Sequence, residues 1–287
     1  MQLIFEADTV HPGAPRPAQA PVWRGIIAHN NGDGRVKQRL SGKRIIITGA
    51  VNNIGKAAVV AFLEEGAKVV IGDIDAERGA TAAAELGPNV RFVAVDVSRE
   101  ESVAAFIDAG AQWLGGLDVL AQNAGVMTSG NITNLDAAAF DRVFAVNVRG
   151  LFFGAKYAVP HLRKSGGGSI INTASLAGKR GQPGLTVYSA SKGAVIAFGT
   201  TLALELAPSN IRVNTICPGW VDTAFNDPIV GFMGGRATQD DKVATFVPLG
   251  RQGTPAEIAP LFVFLASDES SYVNAQALLA DGGAFNS

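Results

Sequence analysis

The chain has little cysteine, histidine or charge, and each shortage narrows what it can be. A single cysteine, Cys217, rules out an internal disulfide framework and suits a reducing cytosol. It closes the run from Val213 to Cys217, so it reads as strand core, the usual place of a free cysteine, rather than as a nucleophile. The three histidines, His11, His29 and His161, show no metal-ligand spacing, so no catalytic metal is expected. Charged residues make up only 17%, and 24 basic against 25 acidic ones leave a net charge of −1. That balance offers no attraction for nucleic acid or an anionic membrane surface. No apolar run approaches the roughly 20 residues of a membrane span. The first 40 residues lack the basic and apolar regions of a secretory signal, so a cytoplasmic protein is expected. Pro12, Pro15, Pro17, Pro21 and the Asn-Asn-Gly-Asp-Gly stretch from Asn30 make 1–40 an irregular N-terminal arm.

What remains, 41–287, is rich in core-forming material, with 47% apolar residues in the whole chain. Short β-rich runs alternate with longer helical ones. Strands are predicted at 44–48, 68–73, 90–95, 117–121, 169–173, 212–217 and 275–280. Helices are predicted at 54–65, 76–86, 100–113, 188–206 and 255–265, the last opened by Thr254 as N-cap with Pro255 at the first helical position. Runs such as Ile45-Ile46-Ile47 and Val69-Val70-Ile71 are apolar on both faces, as strands of a helix-covered parallel sheet must be. The pattern is that of one α/β domain, a doubly wound parallel sheet of about seven strands with helices on both faces. Ligands of such sheets sit past the carboxyl ends of the strands.

The first strand runs into Thr48-Gly49-Ala50-Val51-Asn52-Asn53-Ile54-Gly55 and then a helix. A glycine turn there lets backbone N–H groups approach a pyrophosphate at the helix N-terminus. The second strand ends in Asp73, 24 residues beyond Gly49, where a carboxylate can accept the adenosine ribose hydroxyls and repel a 2′-phosphate. Ile74 follows it instead of an arginine, which supports NAD over NADP. Asp96 and Val97, past the third strand, could flank the adenine, and Gln122-Asn123-Ala124-Gly125 ends the fourth strand.

Tyr188 and Lys192 are four residues apart at the start of a helix, on one face. A free tyrosine, with a pKa near 10, is a poor base at neutral pH, and an ammonium one turn away is expected to lower it. Ser175 lies 13 residues before Tyr188, past the fifth strand, where its hydroxyl could hold a substrate oxygen.

Together these residues resemble the short-chain dehydrogenase/reductase family over 40–283. Its Thr-Gly-x-x-x-Gly-x-Gly turn matches Thr48, Gly49 and Gly55, with Asn53 at the middle glycine. Its Asn-Asn-Ala-Gly signature matches Asn123, Ala124 and Gly125, with Gln122 for the first asparagine. Its catalytic asparagine, serine, tyrosine and lysine match Asn147, Ser175, Tyr188 and Lys192. Its Pro-Gly turn matches Pro218-Gly219, and the threonine that touches the nicotinamide matches Thr223.

The resemblance implies a Rossmann-type fold, a homotetramer, and an NAD-dependent alcohol–ketone oxidoreductase. Tyr188 would exchange the proton of an oxygen held with Ser175, Lys192 would lower the tyrosine pKa and bind the nicotinamide ribose, and Asn147 would hold a water. The implied nucleotide-binding residues are Gly49, Asn53, Ile54, Gly55, Asp73, Ile74, Asp96, Val97, Asn123, Ala124, Gly125, Tyr188, Lys192, Pro218, Gly219, Val221 and Thr223. If the middle turn position needs positive φ, asparagine is the non-glycine residue best able to supply it.

Between Asp222 and Pro248, Phe225, Ile229, Val230, Phe232, Met233 and Phe246 are interleaved with Gly231, Gly234 and Gly235, which reads as a loop-borne mobile lid over 222–248. With Ser175, Leu176, Gln182, Tyr188, Trp220 and Phe225 it suggests a mainly apolar or ring-containing secondary alcohol as substrate. An NADPH-dependent 3-oxoacyl-thioester reductase would want basic residues near the ribose, where only Lys56 is available. A nucleotide-sensing protein that had lost the chemistry would not keep all four catalytic positions.

Overall fold

The computed structural model describes residues Gln38–Ser287, which form one compact unit. The arm expected over 1–40 lies outside the described residues except for its last three positions. These belong to the folded body: Leu40 is fully buried, and the Arg39 amide and guanidinium reach Glu65 and Glu269.

Seven strands form one parallel sheet in the order β3-β2-β1-β4-β5-β6-β7. They are β1 (Arg44–Thr48), β2 (Lys68–Asp73), β3 (Val90–Ala94), β4 (Val119–Gln122), β5 (Gly168–Thr173), β6 (Ile211–Pro218) and β7 (Ala277–Ala280). The helices are α1 (Asn53–Glu64), α2 (Ala76–Leu86), α3 (Glu100–Leu114), α4 (Ala137–Phe144), α5 (Gly150–Lys164), α6 (Thr186–Leu206), α7 (Asp227–Phe232), α8 (Arg236–Phe246) and α9 (Pro255–Ala266).

The sheet is buried on both sides because its strand residues alternate between two cores. Ile45, Ile47, Val69, Ile71, Val119 and Ala121 face Val59 and Phe62 of α1 and Phe262 of α9, whose rings meet edge-on at 6.4 Å. Ile46, Val70, Leu120, Ile170 and Val213 face Phe106 and Ile107 of α3, Leu162 of α5 and Leu206 of α6. Cys217 is strand core as expected, and burial pushes its thiol up to about 11. Thr254 caps α9 in a full capping box: its Oγ1 accepts from the Glu257 N–H while Glu257 accepts from the Thr254 N–H at 2.8 Å.

Several features differ from the sequence expectation. Helices α4 and α5 occupy a stretch that the sequence reading leaves unmarked, and α5 forms although it contains Gly150, Gly154 and Pro160. The two early glycines are needed where α5 presses on its neighbours: a Cβ at Gly150 would meet Val97, and one at Gly154 would meet Gln122. Strand β7 starts two residues late because Ala275 has φ +60. The lid segment is helical: α7 and α8 fill most of it, and Gly234 and Gly235, at φ +95 and +110, turn the chain between them.

Candidate active site

The strand order turns back between β1 and β4, and a cleft of about 690 Å³ opens past the carboxyl ends of the strands there. Asp73 and Asp96 line one end, and Tyr188, Trp220 and Phe225 line the other.

The β1–α1 turn is built around two glycines. Gly49 has φ +65, and a Cβ on it would lie 2.6 Å from the Ala124 Cα, so the loops after β1 and β4 touch backbone to backbone. Gly55 is tighter still, since its Cβ would lie 2.0 Å from the Gly49 carbonyl oxygen. Asn123 Nδ2 donates to that same oxygen at 2.7 Å, and the Ala124 N–H donates to Thr48 Oγ1 at 3.3 Å. Helix α1 then begins with no capping side chain and no acidic residue in its first turn. Its leading N–H groups are therefore available to an anion at the mouth of the turn, as a dinucleotide pyrophosphate requires.

Asn53 sits at φ +48, the left-handed conformation expected of the position. Most side chains there cost roughly 1–2 kcal/mol, and a β-branched one costs more. Asn53→Gly is accordingly expected to leave dinucleotide affinity close to wild type, whereas Asn53→Val raises the dissociation constant and lowers Tm. Titrating NAD into the three purified proteins checks this; a valine variant binding as tightly as wild type would remove the strained-turn assignment.

At the far end of β2, Asp73 accepts only backbone N–H groups, from Val51 at 3.5 Å and Asp75 at 3.3 Å, and has no ion-pair partner among the described residues. Lys56, the nearby cation that left the ribose site ambiguous in sequence, does not line the cleft and is paired with Glu85 at 3.3 Å. Ile74 beside Asp73 is 73% exposed and lines the cleft wall.

Helix α6 carries Tyr188 and Lys192 one turn apart, both nearly fully buried. The Ser175 hydroxyl, just past β5, lies beside the Tyr188 oxygen and favours its phenolate. Lys192 Nζ donates to the Thr173 carbonyl at 2.7 Å and lies 5.8 Å from the tyrosine ring centre. Asn147 belongs to the π-helical turn Ala145–Arg149 between α4 and α5, a distortion often found at functional sites. Its side chain is fully engaged: Oδ1 accepts from the Val126 N–H at 2.8 Å, and Nδ2 donates to the Val126 carbonyl and Ser191 Oγ.

The expected lowering of the Tyr188 pKa does not hold in the protein alone. Burial raises it above its ordinary value, and the Ser175 hydrogen bond offsets only part of that. Lys192 is itself pushed down to about 8 by burial, and its Nζ points at Thr173 rather than at the phenol.

All the other candidate residues line the cleft except Gly55 and Asn147. Gly55 is packed behind the turn, so it shapes the site instead of touching a ligand. Asn147 is shielded by Gly125, whose Cβ would lie 3.4 Å from both the Asn147 Oδ1 and Lys192 Nζ. Of the six apolar residues singled out over 222–248, Phe225 and Ile229 line the cleft. Val230 is buried elsewhere, and Phe232 and Phe246 are largely exposed. Sequence reasoning missed Met127 and Leu185, which form an apolar cluster with Tyr188, Phe225 and Ile229. Their signal was position alone: Met127 closely follows the Asn-Ala-Gly signature, and Leu185 stands three residues before the tyrosine. Among the described residues there is no cluster of three or more metal-ligating side chains, and no helix is long and apolar enough to cross a membrane.

Comparison with known proteins agrees with this architecture. A family model described as "Enoyl-(Acyl carrier protein) reductase" matches residues 49–284. The chain belongs to the short-chain dehydrogenase/reductase family. Among its relatives, galactitol 2-dehydrogenase of Agrobacterium fabrum is 40% identical over 252 residues, covering 85% of this chain and 98% of that protein. The 3-alpha-(or 20-beta)-hydroxysteroid dehydrogenase of Mycobacterium bovis is 39% identical over 245 residues, covering 85% and 90%. A crystal structure of 3-ketoacyl-(acyl-carrier-protein) reductase from Brucella melitensis complexed with NADH superposes with a TM-score of 0.79. It is 33% identical and covers 86% of this chain and 99% of that one. The chain is thus an oxidoreductase of a fold whose members bind a nicotinamide cofactor.

Proposed function

We propose that this short-chain dehydrogenase/reductase is NAD(H)-dependent and interconverts a secondary alcohol and a ketone, on an apolar or ring-containing substrate. The observation that carries the reading is the buried Tyr188 with the Ser175 hydroxyl beside its oxygen and Lys192 one helical turn on, at the apolar end of the cleft. Bound NAD supplies the hydride acceptor, and NADH the donor. The chain's own residues do the rest. Ser175 and Tyr188 hold the substrate oxygen between them. Tyr188 takes the hydroxyl proton during alcohol oxidation and returns it during ketone reduction. Lys192, fixed by the Thr173 carbonyl, favours the phenolate whenever it is charged. Asn147 pins the loop of Gly125 and Val126 that covers the lysine, through its paired bonds to Val126.

The cofactor end favours NAD. The unpaired Asp73 carboxylate suits two ribose hydroxyls and repels a 2′-phosphate, and Lys56 is committed to Glu85. This weighs against an NADPH-dependent 3-oxoacyl-thioester reductase. At the substrate end Met127, Leu176, Leu185, Trp220 and Ile229 surround the tyrosine, and the Phe225 ring centre lies 6.0 Å from that of Tyr188. The hydroxysteroid relative acts on a ring system of the kind such a pocket suits.

The expected kcat/KM for NAD exceeds that for NADP by at least ~10-fold, about 1.4 kcal/mol. Asp73→Ala should narrow the ratio. Steady-state rates with both cofactors check this, and a wild-type preference for NADP would overturn the ribose assignment.

A further inference from the structure

Arg180 ends the turn that follows Ser175, and it lies outside the cleft. It has no carboxylate partner among the described residues. Its guanidinium instead donates to the Ala284 carbonyl and, at 3.5 Å, to Ser287 Oγ, and it lies 5.9 Å from the Phe246 ring centre. Phe246 is the last residue of α8. Two of these segments, the end of α8 and 281–287, are also tied to each other: Ser287 Oγ donates to the Phe246 carbonyl at 2.8 Å, and the Leu249 N–H donates to the Gly282 carbonyl at 3.3 Å. Beneath these bonds Ala284, Val243 and Val247 form a buried apolar cluster. The partly buried members of that cluster are Leu176 and Trp220, two walls of the cleft's substrate end.

We propose that Arg180 is a positioning residue that sets the width of the substrate pocket, by clamping the end of α8 and the 281–287 segment onto the turn after Ser175. Leu176 packs against this cluster, and Trp220 packs against it and against the cluster around Tyr188, so the place of Leu176 above all depends on where Val247 and Ala284 are held. A guanidinium suits the task because one planar group reaches a carbonyl, a hydroxyl and a ring face at once. Loss of the clamp lets α8 move outward and widens the pocket, leaving Tyr188 and Lys192 on their own rigid helix.

The inference rests on the proposed alcohol–ketone activity for its kinetic part only. Wild type, Arg180→Ala, Arg180→Lys, a chain ending at Gly283, and that truncation combined with Arg180→Ala are compared in two ways. Hydrogen exchange reads the Val247 and Leu249 amides against those of β1 and β4. Steady-state rates are read on bulky ring alcohols and on small acyclic ones. Arg180→Ala should speed exchange at Val247 and Leu249 by ~10-fold with the strands unchanged, the loss expected for a charge-assisted hydrogen bond. KM for bulky substrates should rise several-fold while kcat on the small ones holds. The lysine variant should recover part of the effect. The truncation should reproduce it, and the combination should add little, because both remove one clamp. Unchanged exchange overturns the clamp whatever the enzyme oxidises. Faster exchange with unchanged KM, or fully additive effects, overturns its role in the pocket. A wild type that oxidises no alcohol contradicts the proposed function, and the exchange arm still decides the clamp.

Discussion

Replacing Tyr188 by phenylalanine is expected to lower turnover by at least ~10²-fold while leaving the fold and NAD affinity intact, since a positioned general acid–base contributes about 10²–10⁴-fold. The change removes one oxygen from a ring that is otherwise held by packing against Leu185, Phe225 and Ile229. Ser175 keeps its bond from the Ala177 N–H at 3.1 Å, so the turn that carries it should stay in place. Lys192 keeps the Thr173 carbonyl. The loss should therefore appear in kcat with little effect on Tm or on NAD titration. Near-normal turnover in this variant would take Tyr188 out of the mechanism.

The second large effect is expected at Gly55. A Cβ there would stand 2.0 Å from the Gly49 oxygen and 2.9 Å from the Ala50 Cα, both backbone atoms that no side-chain rotation can clear. Gly55→Ala must push α1 away from the turn and stretch the bond by which Asn123 holds Gly49. We expect NAD affinity to fall by at least ~100-fold, about 2.7 kcal/mol, with a lower Tm. The contrast with Asn53 is informative, because both lie on the same turn. Asn53 needs only a tolerated φ, whereas Gly55 needs the absence of an atom. Calorimetric titration separates the two, and binding within threefold of wild type for Gly55→Ala would mean that the turn relaxes more than its packing allows.

Much of the site was legible in sequence because its chemistry depends on fixed spacings within single elements. The four-residue step from Tyr188 to Lys192 is a property of one helix, and the positive φ at Asn53 follows from its place in one turn. The strand cores were legible for the same reason, since residues such as Ile45, Ile46 and Ile47 declare burial on both faces without reference to anything distant. What was hidden depends on contacts between segments far apart in the chain. Gly150 and Gly154 signal a broken helix until the pressing neighbours, Val97 and Gln122, are seen. The lid reads as a loop because its glycines are conspicuous, yet two of them only turn the chain between α7 and α8. The Tyr188 pKa was misjudged for a similar reason: spacing places the lysine near the phenol, but burial and the Thr173 carbonyl decide what each group experiences.

The proposed function requires hydride transfer between NAD and the carbinol carbon of an apolar or ring-containing secondary alcohol. Its most direct test follows NADH absorbance while purified enzyme, with NAD⁺, is offered cyclic, steroidal, aromatic and sugar alcohols in turn, and the matching ketones with NADH in reverse. Turnover is expected on at least one ring-containing alcohol–ketone pair, faster with NAD than NADP and lost in Tyr188→Phe. Enzyme that binds NAD yet turns over no member of the panel in either direction, or that works only on sugar alcohols or only with NADP, would contradict it.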